Sequence, residues 1–158
     1  MKIKIKELRN LVNKALKKQG YSSKEIETIS DILLFAQLRG NNQGIVKLIG
    51  KGISKNPEAG KIEVIRETKL SALLNGNKNM GMVVLTQAMD IAIKKARKHG
   101  FGIAGTNNTN TSTGAIGYYA NKIAKEGLIG FVFAGSPETV TTLGSYEPIY
   151  GTNPLAIG

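Results

Sequence analysis

The chain has no cysteine, no tryptophan and a single histidine in 158 residues. Without thiols there can be no disulfide framework, no thiolate zinc site and no cysteine nucleophile. One imidazole, His99, is too few for an all-protein histidine metal site. The sequence also lacks an apolar run of about 18 residues, so no membrane-spanning helix is expected. Its start, Met1-Lys2-Ile3-Lys4-Ile5-Lys6, alternates charge with isoleucine and has no signal-peptide core. A cytoplasmic location is the expectation.

Acidic residues are scarce relative to basic ones: 11 Asp and Glu face 22 Lys and Arg, a formal charge of +11. Most of the excess precedes residue 74 and is spread along helical patterns. Such a field attracts phosphates, nucleic acid or acidic partners. Aromatics are 6% and no nucleic-acid motif is present, which favours a solvated lysine surface and leaves nucleic-acid binding a minor alternative.

Hydrophobic content of 41% in a chain of this length suffices for a packed core. Leu8, Leu11, Val12, Ala15 and Leu16 recur at helical spacing over 6–19, with Gly20 as a stop. Ser22-x-x-Glu25 has the form of a capping box opening a second helix, whose stripe is Ile26, Ile29, Ile32, Leu33 and Ala36. A third helical segment is expected over 45–55. Strands are expected at 61–68 and 70–74, with Asn75-Gly76 as a turn signal. A helix over 83–98 should face Leu85, Ala88, Met89, Ala92 and Ala96 inward. A short buried strand at 101–105, a helix at 115–125 and an apolar strand at 128–134 follow. The expected fold class is α/β (α+β): a helical unit at 1–57, then a mixed α/β unit at 58–158.

Chemistry is hard to find by motif. The nearest approach to a dinucleotide-binding glycine loop is Gly50-Lys51-Gly52, but residue 55 is Lys and the segment patterns as helix. His99 follows Arg97-Lys98 at a helix end, where a cation complements the dipole. The acidic residues are scattered, so no carboxylate pair is suggested. The most informative stretch is Thr106-Asn107-Asn108-Thr109-Asn110-Thr111-Ser112-Thr113-Gly114, polar, uncharged and set between a strand and a helix. Backbone amides at such a junction suit an anionic or carbonyl ligand. Helix capping by Ser112 and Thr113 beside a flexible loop is the plainer account.

Several stretches, in order and spacing, resemble the malate/L-lactate dehydrogenase family, which includes ureidoglycolate and sulfolactate dehydrogenases. They are Ile32 to Gly40 with Gln43-Gly44-Ile45-Val46-Lys47-Leu48, Ala92 to Ala104, Gly114-Ala115-Ile116-Gly117-Tyr118-Tyr119-Ala120 with Gly127-Leu128-Ile129-Gly130, and Gly151-Thr152-Asn153-Pro154-Leu155-Ala156. The resemblance covers the N-terminal half of the family's length. It implies a non-Rossmann sulfolactate-dehydrogenase-like fold. It also implies hydride transfer between NAD or NADP and a 2-hydroxy or 2-keto (or imino) acid, and a homodimer.

Residue by residue, the resemblance is imperfect where chemistry is concerned. The family's Ser-His-Gly and following arginine correspond here to Asn42, Gln43, Gly44 and Lys47, and Ser112 stands where a second family histidine would be. Gln43 can hydrogen-bond but cannot cycle a proton near neutral pH. Lys47 keeps a positive charge without arginine's fork. The resemblance makes Gln43 and Ser112 the catalytic positions and Asn42, Lys47 and Thr113 the substrate-binding ones. It assigns Ser136, Thr152 and Asn153 to the cofactor, although Ser136-Pro137 and Gly151 to Pro154 also read as ordinary turns. The apolar end Leu155-Ala156-Ile157-Gly158 suggests a strand cut at its start, hence a fragment, a truncated form or a piece that needs a partner chain. Two main readings follow: a divergent oxidoreductase, and a catalytically inactive remnant that keeps a ligand.

Overall fold

A computed structural model describes residues 2–49 and 52–158. The described chain forms four α-helices, a three-stranded and a two-stranded sheet, and one 3-10 turn, a mixed α/β architecture. It divides into two compact units, Met1–Ala115 and Ile116–Gly158. The composition boundary expected at residues 57/58 falls inside the first unit. No helix among the described residues is long and apolar enough to cross a membrane.

In the first unit, α1 (Ile5–Lys18) and α2 (Ser23–Gln37) form where the apolar spacing places them. The turn between them is fixed at both ends. Gly20 takes a left-handed φ of 86°, and the Ser22 hydroxyl accepts from the Glu25 amide while Glu25 accepts from the Ser22 amide at 2.7 Å. α1 presents buried Val12 and Leu16, and α2 presents buried Ile29, Ile32, Leu33 and Ala36. The buried Ser30 hydroxyl donates to the Asn13 side-chain oxygen at 2.6 Å, so the polar group on this face is satisfied.

The expected third helix is corrected to a single 3-10 turn, Ile45–Leu48. Gly44 before it is pressed against α2: a Cβ there would lie 2.9 Å from the Gln37 backbone. The Gln37 side-chain oxygen accepts from the Ile45 amide at 3.1 Å, so α2 dictates how this turn begins. Gly50 and Lys51, which belong to the expected helix and to the nearest glycine-rich approximation, lie outside the described residues. Beyond them, buried Ile53 is held through its carbonyl, which accepts from the Tyr21 hydroxyl at 2.7 Å.

β1 (Glu63–Glu67) and β2 (Ser71–Asn75) pair antiparallel, with an irregularity between Val64 and Arg66. Their turn is at residues 68–70, where the Thr68 hydroxyl accepts from the Ser71 amide. Asn75-Gly76 instead leaves β2 for α3 (Gly81–His99), and β3 (Ile103–Asn107) returns parallel to β2. Ala72, Leu74 and Ala88 form a small core with Ile62, Leu85, Ile91 and Ala104 against it. Of the α3 residues expected to face inward, Ala88 is fully buried. The main buried stretch of α3 is earlier, at Met82, Val83 and Val84. β3 begins two residues later than expected and is not buried, with Ile103 54% exposed. Gly102 before it passes so close to α3 that a Cβ would meet the Ala92 carbonyl.

In the second unit, α4 (Gly117–Lys125) carries buried Tyr118, Tyr119 and Ala120. β4 (Phe131–Phe133) and β5 (Leu155–Ile157) pair antiparallel. The expected apolar strand at 128–134 shrinks to these three residues, and it is buried only at Val132. Phe131 is 59% and Phe133 69% exposed, on the face of the ribbon opposite buried Val132, and Ile129, ahead of the strand, is 81% exposed.

Candidate functional site

The 106–114 loop is ordered by backbone pairing. Residues 76–81 run alongside it: the Gly76, Lys78 and Gly81 amides donate to the Asn107, Asn108 and Asn110 carbonyls at 2.9 Å, and the Asn110 amide donates to the Asn79 carbonyl at 2.8 Å. The parallel β2–β3 contact thus continues past both strand ends. Left-handed Asn77, Lys78, Asn108 and Thr111 let the two strands of chain bend together. The flexible-loop expectation is therefore corrected.

The loop's far end is wedged between α2 and α3. Gly114 has φ 71°, and a Cβ on it would lie 2.6 Å from Ile32 Cγ2. A Cβ on Gly81, at the start of α3, would lie 3.0 Å from the Ser112 carbonyl oxygen and 3.2 Å from the Thr113 amide nitrogen. These close approaches fix the Ser112 and Thr113 backbone.

This arrangement brings Ser112 to Gln43. The Ser112 hydroxyl donates to Gln43 Oε1 at 3.3 Å and accepts from the Gly114 amide at 2.9 Å. Gln43 Nε2 donates to Asn42 Oδ1 at 3.3 Å, and the Gln43 amide donates to Asn41 Oδ1 at 2.8 Å. Ser112 does not cap α4, whose N-cap is Ile116 and carries no side-chain cap. Lys47, half-buried, is on the 3-10 turn that follows Gly44. Asn42 is exposed, while Gln43, Ser112 and Thr113 are half-buried. Amide and hydroxyl can orient an oxygen-bearing ligand, but neither titrates near neutral pH. Two surface basins, of about 480 and 400 Å³, are lined by other residues and include none of these. Among the described residues no cluster of three or more His, Cys, Asp or Glu side chains is placed to hold a metal ion.

A second polar cluster lies within the second unit. The Ser136 and Thr152 hydroxyls share a hydrogen bond at 3.2 Å, the Thr152 amide donates to Ser136 Oγ at 2.8 Å, and the Ser136 amide donates to Asn153 Oδ1 at 3.3 Å. Gly151 permits this closeness, since a Cβ there would lie 2.3 Å from the Ser136 carbonyl oxygen. Asn153 takes a left-handed φ of 37°. β4–β5 pairing brings the two segments together, and sequence order alone carries no sign of it. Ser136, Thr152 and Asn153 are exposed, and their polar groups are neutral.

One acidic group shows a marked local environment. Burial works to raise the Glu25 pKa, but hydrogen bonding with Ser22 and the paired Lys55 ammonium outweigh it and hold the carboxyl below its usual range. Burial, with the Glu25 charge added, pushes the neighbouring Tyr21 hydroxyl well above the usual tyrosine value. Sequence reasoning found Glu25 only as a capping residue. Lys55 joins it from 30 residues away, which no local pattern records. This group ties the helical pair to the segment carrying Ile53 and has the character of a structural clasp.

The sequence profile of the family described as malate/L-lactate dehydrogenase matches residues 3–158. A malate dehydrogenase of Pyrococcus abyssi is 38% identical over 96% of this chain and 43% of its own length. A malate/(S)-sulfolactate dehydrogenase of Methanothermus fervidus is 36% identical over 99% of this chain and 48% of its own. The solved malate dehydrogenase of Pyrococcus horikoshii superposes with a TM-score of 0.88 at 35% identity, over 99% of this chain and 46% of that one. The chain thus spans less than half the length of each of these relatives. With the profile matching nearly every residue and the fold superposing along the whole chain, the chain belongs to the malate/L-lactate dehydrogenase family.

Proposed function

We propose that this chain contributes the N-terminal half of an oxidoreductase that transfers hydride between NAD or NADP and a 2-hydroxy or 2-keto (or imino) acid. One observation carries the reading: two side chains that resemblance assigns to the reacting end of the substrate, Gln43 and Ser112, share a hydrogen bond despite lying 69 residues apart. In this proposal they orient the substrate's hydroxyl or carbonyl oxygen, and Asn42 and Thr113 border it. Lys47 holds the carboxylate as a point charge. The proton comes from water or from a residue elsewhere, because an amide and a hydroxyl cannot supply it at neutral pH.

The cluster of Ser136, Thr152 and Asn153 fits the neutral carboxamide end of a nicotinamide, which offers both a donor and an acceptor. The nicotinamide group, when bound, supplies the hydride acceptor or donor. This chain's part is to orient substrate and cofactor through those residues. A homodimer and a cytoplasmic location complete the proposal.

The test is to join the chain to the C-terminal half of the Pyrococcus abyssi relative and titrate it with NADH and NADPH by fluorescence. Absence of dinucleotide binding in a folded chimera would overturn the reading. A second reading rests on the same pair, since neither partner titrates: a ligand-binding form without turnover. Gln43→His with Ser112→His separates the two. Keto-acid reduction that appears only in the double variant favours the binding form, whereas reduction already present without it favours a divergent enzyme.

A further inference from the structure

We propose that the basin between the β1–β2 turn and the end of α3 is a binding site for a short phosphate chain. The basin, about 480 Å³ in volume, is lined by Glu67, Lys69, Lys94, Lys95, Lys98 and His99, all within the first unit. It is separate from the Gln43–Ser112 pair and does not rest on the proposed dehydrogenase activity.

Lys95 is the fixed element. Its side chain is only 12% exposed, and its ammonium donates to the Glu67 carboxylate and to the Thr68 carbonyl, each at 2.7 Å. Glu67 is thereby neutralised. Lys69, Lys94 and Lys98 are exposed and take part in no ion pair among the described residues. Helix-end electrostatics accounts for part of this pattern, because cations in the last turn of α3 complement the dipole. That effect fades within one turn and covers Lys98 and His99. It does not reach Lys94, and Lys69 is on another element. Lys94 and Lys98 are four apart on one helix, a like-charge spacing that destabilises the helix. An anion in the basin relieves that repulsion.

The chemistry of the lining selects the ligand. Lysines are compact point charges that suit phosphate oxygens, whereas planar carboxylates are better served by the guanidinium fork, and no arginine lines the basin. Its one aromatic group is the small His99 imidazole, and no Phe, Tyr or Trp ring lines it to give a base a broad stacking platform. The ligand is thus a di- or triphosphate chain, recognised without regard to any attached base. Inorganic tripolyphosphate and the phosphate tail of a nucleotide are its two sources.

The test is titration of isotope-labelled full chain with tripolyphosphate, followed by amide NMR at an ionic strength of about 20 mM. Shifts should concentrate on residues 66–70 and 94–100. Lys69→Gln, Lys94→Gln and Lys98→Gln together should raise Kd roughly tenfold, while Lys14→Gln, Lys17→Gln and Lys18→Gln on α1 remove equal charge and should raise it less than about threefold. ATP matching tripolyphosphate in affinity assigns the site to the shared phosphate chain, and ATP binding roughly tenfold more tightly would overturn the base-independent assignment. Equal loss in both triple variants, or shifts spread along α1, would show only a general basic field. An oligoribonucleotide of matched phosphate number binding roughly tenfold tighter would make the surface a nucleic-acid contact instead.

Discussion

The Ser112 hydroxyl donates to the side-chain oxygen of Gln43 at 3.3 Å while accepting from the buried Gly114 at 2.9 Å. Ser112 is therefore the hinge of a three-group chain. Removing it leaves an amide and a side-chain oxygen without their partner. Ser112→Ala should cost about 1–2 kcal/mol, and Gln43→Ala, half-exposed, about 0.5 kcal/mol. Urea denaturation of the single and double variants measures the coupling, expected at about 0.5 kcal/mol. Strict additivity would mean that the contact carries no free energy.

Gly114 combines a left-handed φ of 71° with a close approach to Ile32, whereas Gly40 has φ 66° and open space where a Cβ would go. Gly40→Ala should therefore cost only the backbone strain, about 1 kcal/mol. Gly114→Ala should add overpacking and reach about 2–4 kcal/mol. Equal losses in the two variants would remove the α2 contact from the account of how the loop is held.

Glu25 ties the capping box to Lys55. Its folded pKa is lowered, so the stability it contributes is present above the unfolded value of about 4.3 and is lost as pH falls through the folded value. Glu25→Gln should cost about 1 kcal/mol at pH 7 and flatten the decline of Tm on acidification. An unchanged acid slope in the variant would contradict the lowered pKa.

Tyr21 gives the complementary alkaline effect. Its folded pKa is raised, so its contribution is whole below the unfolded value of about 10 and is lost as pH climbs toward the folded value. Tyr21→Phe removes the hydrogen bond to the Ile53 carbonyl and should cost about 1–2 kcal/mol at pH 7. The same variant should lose less stability than the parent between pH 9 and 11 (roughly the span around the unfolded value). Tm measured across that range is the check, and parallel curves would argue against the buried hydroxyl.

The helices and the order of elements were legible because their causes are local. Val12 and Leu16, or Ile29, Ile32 and Leu33, recur at the helical period, and the Ser22–Glu25 box marks its own helix start. Resemblance named Gln43, Ser112, Ser136, Thr152 and Asn153, but gave no contacts among them. Burial in short strands was misread. Three residues such as Phe131 to Phe133 are too few to say which face is covered, and apolar composition alone suggested burial for Ile103 and Phe133 that is absent.

By itself, then, the sequence determined the four α-helices, the Ser22–Glu25 capping box, the stop at Gly20 and the mixed α/β class, since each depends on neighbours within a turn or two. Tertiary structure decided the rest. α2 reduced the expected third helix to a 3-10 turn through the Gln37–Gly44 approach, and the pairing of residues 76–81 with 107–110 ordered the polar loop. The Ser112–Gln43 and Ser136–Thr152 contacts exist only because separate segments are brought together and held at close range, a relation that one-dimensional spacing does not contain.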